Sequence, residues 1–249
     1  MLKLRFQVFF LSAALGSIAV AQSAHFAETR VLPTVSPAQA PAPAGELESV
    51  LSKMDATAAS FRTTQADFVW ENYTKVVNDT DTLTGTVYYR RTGKEIEMMA
   101  DIHEPIQKYV LFHQSKVQMY EPKIDQVTVY EAGKNRDEIE SYLVLGFGGG
   151  GHDLLKSFEV QFLGTEKLDG NSTAKLELIP KSQKLRGTLE KIWLWIDPER
   201  GVSIQQQFLE PAGDYRLAKY TAIRMNQKIG EEVFHLKTTS KTKYVSPGG

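Results

Sequence analysis

The chain of 249 residues contains no cysteine. Disulfides and thiolate metal sites are therefore excluded, and an ordinary hydrophobic core must hold the fold. An excess of either charge is also missing, since 29 basic and 30 acidic residues leave a formal net charge of −1. This balance argues against nucleic acid as a partner. After residue 21 there is no apolar run of about 18 residues, the length that a membrane-spanning helix needs.

Signatures of catalysis and metal binding are missing as well. The histidines lie apart without metal-site spacing, and no G-x-S-x-G or S-x-x-K motif occurs. The run GFGGGG at 146–151 lacks the Lys-Ser/Thr of a phosphate-binding loop and follows a predicted helix rather than a strand. We expect no catalytic residue, metal or cofactor, and we interpret Gly148, Gly149 and Gly150 as a hinge between two helices.

The first 45 residues predict an export signal and a linker. Lys3 and Arg5 precede an apolar run that ends in Ala19-Val20-Ala21, the pattern of a signal peptide cleaved before Gln22. A membrane anchor is the alternative, although the run is short for a spanning helix. Residues 22–45 are rich in Ala and Pro, which predicts a disordered linker. Cleavage would leave 27 basic and 30 acidic residues, a net charge of −3.

Hydrophobic periodicity then predicts a helix followed by strands. Leu47, Leu51 and Met54 begin an apolar stripe at helical spacing that extends to Phe61. From residue 65 the period changes to two. In residues 85–130 the alternation continues, interrupted by the turn sequences TGK, HEP and YEPK. This pattern predicts an antiparallel meander with one apolar face.

The remaining residues predict two more helices and more strands. Residues 136–145 form a helical pattern with Ile139 and Leu143 on one side, and residues 153–158 form a short one with Leu154. Six segments between 159 and 240 alternate as strands, the last being FHLKTTS at 234–240, and DPERG at 197–201 predicts a hairpin. About ten strands predict a mainly β fold, a strongly curved antiparallel sheet whose concave side is closed by about three helices.

Aromatic residues and methionines at strand spacing are the strongest functional signal. About half of this set is expected to be ordinary core, because large apolar side chains are usually buried. Two observations favour a cavity: residues 192–196 are apolar on both faces, and methionine side chains adapt to varied ligands. The predicted lining consists of Phe68, Trp70, Val87, Tyr89, Ile96, Met98, Val110, Phe112, Met119, Trp193 and Trp195.

The order of these segments resembles the periplasmic carrier family of outer-membrane lipoproteins, the LolA-like family. Four features carry the resemblance: the helix leading into Ala66-Asp67-Phe68; Gly85 to Arg91; Tyr120-x-Pro122 followed by Gln126-Val127; and the hairpin from Trp195 to Val202. Each is weak alone, but their order and spacing together are specific. The resemblance covers about residues 46–246.

This resemblance implies an incomplete, half-open antiparallel barrel whose apolar concave face lies under about three lid helices. It implies a periplasmic carrier whose apolar cavity binds the acyl chains of lipoproteins. It also implies an inner-membrane donor complex, an outer-membrane acceptor and no enzymatic activity. The family's functional arginine corresponds to Arg91, which would bond to the backbone of the lid and keep the empty cavity shut. The apolar face of the lid helices would consist of Leu47, Leu51, Met54, Ile139, Leu143 and Leu154.

Other interpretations stay open at this point. On the same fold the protein would bind or sense free lipids as an envelope-assembly accessory or, less favoured, act on a lipid as an enzyme. For Arg91 the alternative to a latch is a solvated charge at a strand end. We expect a monomer with a signal peptide at 1–21, a linker at 22–45, a lipid-binding domain at 46–246 and a tail at 247–249.

Overall fold

The computed structural model describes residues 44–93, 95–131, 145 and 147–246. The predicted signal peptide, nearly all of the linker, Ile139, Leu143 and the tail lie outside these residues. Within them, no helix is both long and apolar enough to cross a membrane.

In the described part of the chain, twelve strands form one sheet in the order β12-β6-β5-β4-β3-β2-β1-β11-β10-β9-β8-β7. All pairs are antiparallel except β12 with β6. No pairing joins β12 to β7 in the described strands, so the curved sheet stays open and the predicted fold class is confirmed. The strands are β1 Thr63–Thr74, β2 Asp79–Thr92, β3 Glu95–Glu104, β4 Lys108–His113, β5 Lys116–Glu121, β6 Gln126–Glu131, β7 Phe158–Leu168, β8 Asn171–Pro180, β9 Lys191–Asp197, β10 Val202–Leu209, β11 Tyr215–Met225 and β12 Lys243–Val245.

Three α-helices accompany the sheet in the described part of the chain: α1 Ala44–Ser60, α2 Gly151–Ser157 and α3 Gln183–Arg186. The first two correspond to predicted helices, and α1 begins two residues before the predicted domain. The short α3 was not predicted, and it connects β8 to β9. Of the predicted helix at 136–145, only Leu145 is described, and it lies in a turn.

The concave face of the sheet is apolar across most of its width. One row of register neighbours crosses four strands and consists of Trp70 on β1, Ala218 on β11, Gln206 on β10 and Leu194 on β9. Their side chains therefore lie on one face of the sheet. On β7–β10 this face packs against α1, α2 and α3. On β1–β5 and β11 it forms what we call the inner cluster: Phe61, Ala66, Phe68, Trp70, Val87, Tyr89, Ile96, Met98, Ala100, Ile102, Phe112, Val117, Phe147, Ala218 and Tyr220.

The C-terminal segment covers part of the convex face. Phe234, in a 3₁₀ turn at Glu231–Phe234, packs with Met99 and Leu111 and is 1% exposed. The predicted strand FHLKTTS is therefore wrong, because Phe234 and Leu236 of this segment are used for packing across the sheet rather than for pairing at its edge. Pairing comes later, where Lys243–Val245 adds to β6 as β12.

Candidate functional site

The inner cluster contains most of the predicted cavity lining. Seven predicted residues belong to it and Val110 packs against it, and Met119 is the register neighbour of Val110 on the same face. All of them except Val110 are buried. The seven members are Phe68, Trp70, Val87, Tyr89, Ile96, Met98 and Phe112.

Two rings of the inner cluster come from outside the sheet. Phe61 follows α1 directly, and Phe147 lies in the loop before α2. The ring of Phe147 stacks on Tyr89 at 5.5 Å between centroids and meets Tyr220 edge-on at 4.6 Å. Phe147 is completely buried, although its sequence context predicted no role for it. We call α1, Phe61, residues 145 and 147–150, and α2 the lid.

Arg91 connects the sheet to both parts of the lid. Its Nη1 donates to the carbonyl oxygen of Ala58 at 2.9 Å, and its Nη2 donates to that of Gly148 at 2.7 Å. The guanidinium also lies 5.2 Å from the ring centroid of Phe61, within the range of a cation–π interaction. These partners are backbone carbonyls near the C-terminal end of α1 and in the loop before α2, so Arg91 contacts both only while the lid is in place.

Gln206 forms a second connection that was not predicted from the sequence. It is 4% exposed on the concave face, and its Nε2 donates to the carbonyl oxygen of Leu145. Arg91 holds the loop from β2 and Gln206 holds it from β10. The sequence offered no signal for Gln206, because its place in an apolar row with Leu194 and Ala218 depends on the register between strands.

Gly148 fits its position for two steric reasons. Its φ of +105° is unfavourable for residues with a side chain, and a Cβ would lie 2.5 Å from the ring of Phe61. The glycine therefore allows the loop to pass closely over Phe61. A hinge at Gly148, Gly149 and Gly150 stays a prediction.

The helices α1 and α2 pack directly on each other. Leu51 and Met54 are 1% exposed and share a cluster with Leu154 of α2, and Leu47 packs at its edge. A Cβ on Gly151 would collide with the backbone of Leu51, so glycine permits this approach. The described members of the predicted apolar lid face are thus together.

His152 adds a polar contact between α2 and α1. Its Nδ1 bonds to the carboxylate of Asp55, and its Nε2 lies 3.2 Å from that of Glu48. The hydrogen bonds to Asp55 and Glu48 raise the pKa of His152. For Asp55, burial acts to raise the pKa, but the bonds from His152 outweigh it and lower the pKa. The protonated imidazole is therefore the form that favours this contact.

Tyrosine hydroxyls bring some polarity into the inner cluster. Tyr89 and Tyr220 bond to each other, and Tyr220 also bonds to Trp70. Burial raises the pKa of Tyr220 to about 12, so its hydroxyl is protonated at neutral pH. The interior carries no charge at this point.

Trp193 and Trp195 were predicted as cavity lining, and the structure corrects this. The concave face of β9 is formed by Ile192, Leu194 and Ile196, so alternation turns both tryptophans to the convex face. There Nε1 of Trp193 donates to Glu177 at 2.9 Å, and the ammonium of Lys175 lies over both rings at 4.8 and 4.7 Å. When a strand is apolar on both faces, its sequence does not show which face lies on the concave side of the sheet.

The described side chains contain no group of three or more His, Asp and Glu that could hold a metal ion. The predicted absence of a metal and of a cofactor stays a prediction, because part of the chain lies outside the described residues. What the arrangement offers chemically is an apolar, aromatic-lined surface under a lid.

Comparison with known proteins supports the fold. Neither a family model nor a curated protein matches the sequence. Among solved structures, MucB gives a TM-score of 0.51 at 12% identity, covering 78% of this chain and 63% of MucB. An uncharacterized conserved protein from Thermus thermophilus gives 0.50 at 11%, covering 81% of this chain and 99% of that one. A LolA superfamily protein from Nitrosomonas europaea gives a TM-score of 0.38 at 14% identity, covering 76% of this chain and 97% of that protein.

The fold is LolA-like. At identities of 12% and 11%, MucB and the Thermus protein show the fold alone. The chain also spans only 63% of the length of MucB. The resemblance predicted from the sequence is confirmed at this level, and function has to be argued from the site.

Proposed function

We propose that the protein binds the acyl chains of lipoproteins on the concave face of its sheet and carries them through the periplasm to the outer membrane. One observation carries the proposal: Phe61 and Phe147, which fill the inner cluster, come from the lid and not from the sheet. Movement of the lid would withdraw both rings and leave an apolar surface open to a ligand.

The size of that surface suits an acyl chain. A phenylalanine buries roughly 150–250 Å², so the two rings cover roughly 300–500 Å². Burial of one methylene stabilises by about 0.8 kcal/mol, and burial of apolar surface stabilises by about 25 cal/mol per Å². One methylene therefore covers about 30 Å². About 10 to 16 methylenes, or one fatty acyl chain, would therefore replace the two rings.

Replacement also explains how cargo would be released. An acyl chain and the lid rings cover the same lining, so the free energy gained by binding the chain is offset by the packing lost from the lid. In this proposal Arg91 is the latch, because its bonds to Ala58 and Gly148 stabilise the empty, closed state. An inner-membrane donor would load the protein and an outer-membrane acceptor would unload it.

Mass spectrometry of the natively purified, exported protein tests the proposal. Intact complexes and solvent extracts are both measured, with Phe147→Ala as a variant of enlarged interior and Phe234→Ala as a matched control on the convex face. Bound acylated protein, increased in Phe147→Ala only, supports the carrier. Free phospholipid in its place would support a binder or sensor of lipids, and turnover of bound lipid would indicate an enzyme. Absence of every acyl compound from all three proteins would contradict lipid binding.

A further inference from the structure

The sheet splits between β10 and β11 on the side where β10 begins. The two strands pair only from Gln205–Leu209 to Tyr215–Lys219. Beyond this stretch β10 continues beside β9 as far as Val202, and β11 continues beside β1 as far as Met225. No register pairing joins residues 202–204 to residues 220–225, although both stretches are strand.

Irregularities on both strands account for the split. The register of β10 against β9 shifts between Ser203 and Gln205. The register of β11 against β1 shifts where Ala222 takes a φ of 48°. Bulges bend a strand and increase its twist, so facing bulges direct the two strands apart. Such bulges are frequent beside functional sites.

A cavity of about 540 Å³ lies at this split. Its volume is within the usual range of small-molecule sites. Ile204, Tyr220 and Ile223 contribute to its lining, and the last two also belong to or pack against the inner cluster. Tyr220 in turn contacts the edge of the Phe147 ring. The cavity therefore borders the inner cluster at the wall of the sheet.

The cavity is rimmed by cationic side chains. Arg200, Lys219 and Arg224 line it, against the single carboxylate of Asp169. Arg200 and Lys219 also pair with carboxylates outside the lining, Asp197 at 2.6 Å and Glu71 at 2.7 Å, so a phosphate on the rim would compete with these two ion pairs. Guanidinium groups bind phosphate through parallel, charge-assisted hydrogen bonds. A cationic rim above an apolar floor suits an amphiphile with an anionic head.

The rim is also connected to the lid. The hydroxyl of Thr57 in α1 donates to the carbonyl oxygen of Arg200 at 2.6 Å. Gly201, the next residue, lies so close to the backbone of Lys53 that a Cβ would be 2.6 Å from its carbonyl oxygen. The turn that carries Arg200 is therefore in direct contact with α1.

We propose that the split between β10 and β11 is a lateral binding site for a phosphate-bearing lipid. The phosphate lies on the rim formed by Arg200, Lys219 and Arg224, and one acyl chain passes Ile223 and Tyr220 towards Phe147. The inference rests on the proposed function, since it requires an interior that accepts acyl chains. It adds a second class of ligand beside acylated protein, a phospholipid, and the route by which that lipid reaches the interior.

Charge reversal at the rim tests the head-group site. The probe is phosphatidylglycerol with one fluorescent acyl chain, taken up from donor vesicles by the purified full-length mature protein. Arg200→Glu combined with Arg224→Glu is expected to slow uptake about tenfold or more, because two charge-assisted bonds are lost. The matched control, Lys123→Glu with Lys237→Glu, changes the same charge on exposed residues away from the cavity. Arg224→Glu alone serves if the double variant unfolds.

Four results would overturn the head-group site. The first two are equal slowing by the control pair and equal slowing of a neutral diacylglycerol probe. The third is full competition by inorganic phosphate, which would indicate a site for the free ion. The fourth is preference for oleate over phosphatidylglycerol, which would exclude a phosphate head. Slowing confined to phosphatidylglycerol and to the rim variants supports it.

A cross-link tests the route. Because the chain has no cysteine, Ile204→Cys and Ala222→Cys introduce the only thiols, and a short bismaleimide can join them across the cavity. Cross-linking before lipid is added should slow uptake, whereas cross-linking after loading should retain the lipid. Unchanged uptake would refute the lateral route while lipid binding itself persists. If the unmodified protein binds no lipid at all, the proposed function fails instead.

Discussion

Replacement of Arg91 by leucine should release the lid. The variant removes two hydrogen bonds from a charged donor to the carbonyl oxygens of Ala58 and Gly148, at 2.9 and 2.7 Å. Such bonds contribute about 1.5–3 kcal/mol each when the donor is withdrawn from water. Arg91 is only partly buried, so we take the lower end and expect a loss of about 3 kcal/mol. The open fraction of the lid should then rise roughly a hundredfold.

Hydrogen exchange measured by mass spectrometry gives the opening of the lid directly. Backbone amides near the end of α1 and in α2 should exchange up to about a hundredfold faster in Arg91→Leu. Amides of β9 and β10 should be unchanged, because the sheet does not depend on this contact. The same variant should release a bound acylated protein or fluorescent lipid more slowly to an acceptor, since closure of the lid no longer offsets binding of the cargo.

Arg90→Leu is the matched control for this experiment. Arg90 is the preceding residue and loses the same charge, but it faces the convex side, where it pairs with Glu97 at 2.6 Å and lies over Phe234 at 4.3 Å. It should loosen the C-terminal segment and leave the lid closed. Equal exchange and equal release in Arg91→Leu and the unmodified protein would refute the latch. Equal effects of Arg91→Leu and Arg90→Leu would show that the loss of one positive charge, and not the lid contact of Arg91, explains the result.

Three further perturbations act on the same lid. Because its partners raise the pKa of His152, the contact of α2 with α1 should be complete below about pH 6.5, the unfolded imidazole pKa, and weaken as pH rises through the folded value. Lid exchange should therefore accelerate over that window, and His152→Gln should remove the dependence. Gly148→Ala should open the lid by steric conflict with Phe61, whereas Gly170→Ala, also at positive φ but with open space around it, should leave lid exchange unchanged. Gln206→Leu should also speed lid exchange, and its effect should not simply add to that of Arg91→Leu, since both residues hold the same loop; strict additivity in a double-mutant cycle would contradict this coupling.

Local patterns were enough for the class of fold and for most of the sheet residues of the inner cluster. Alternation along β1 to β4 follows from the geometry of a strand, so residues such as Phe68 and Val87 could be assigned to one face without coordinates. The sequence predicted helix α1 equally well, because its apolar residues recur at helical spacing. The lid contacts expected for Arg91 depended on the resemblance and not on periodicity.

Tertiary structure alone decided which residues join the inner cluster and which face of β9 is concave. Phe147 and Gln206 lie in stretches whose local pattern predicts a loop and a strand, and their roles arise only when distant segments meet. Trp193 and Trp195 show the same limit, because a strand with two apolar faces fits either orientation. The split beside β10 depends on bulges. A bulge is defined by the register between neighbouring strands, and the periodicity of the sequence does not show it. Composition and period therefore determined the class of fold, and long-range packing determined which rings enter the inner cluster, the contacts of Arg91 and the split between β10 and β11.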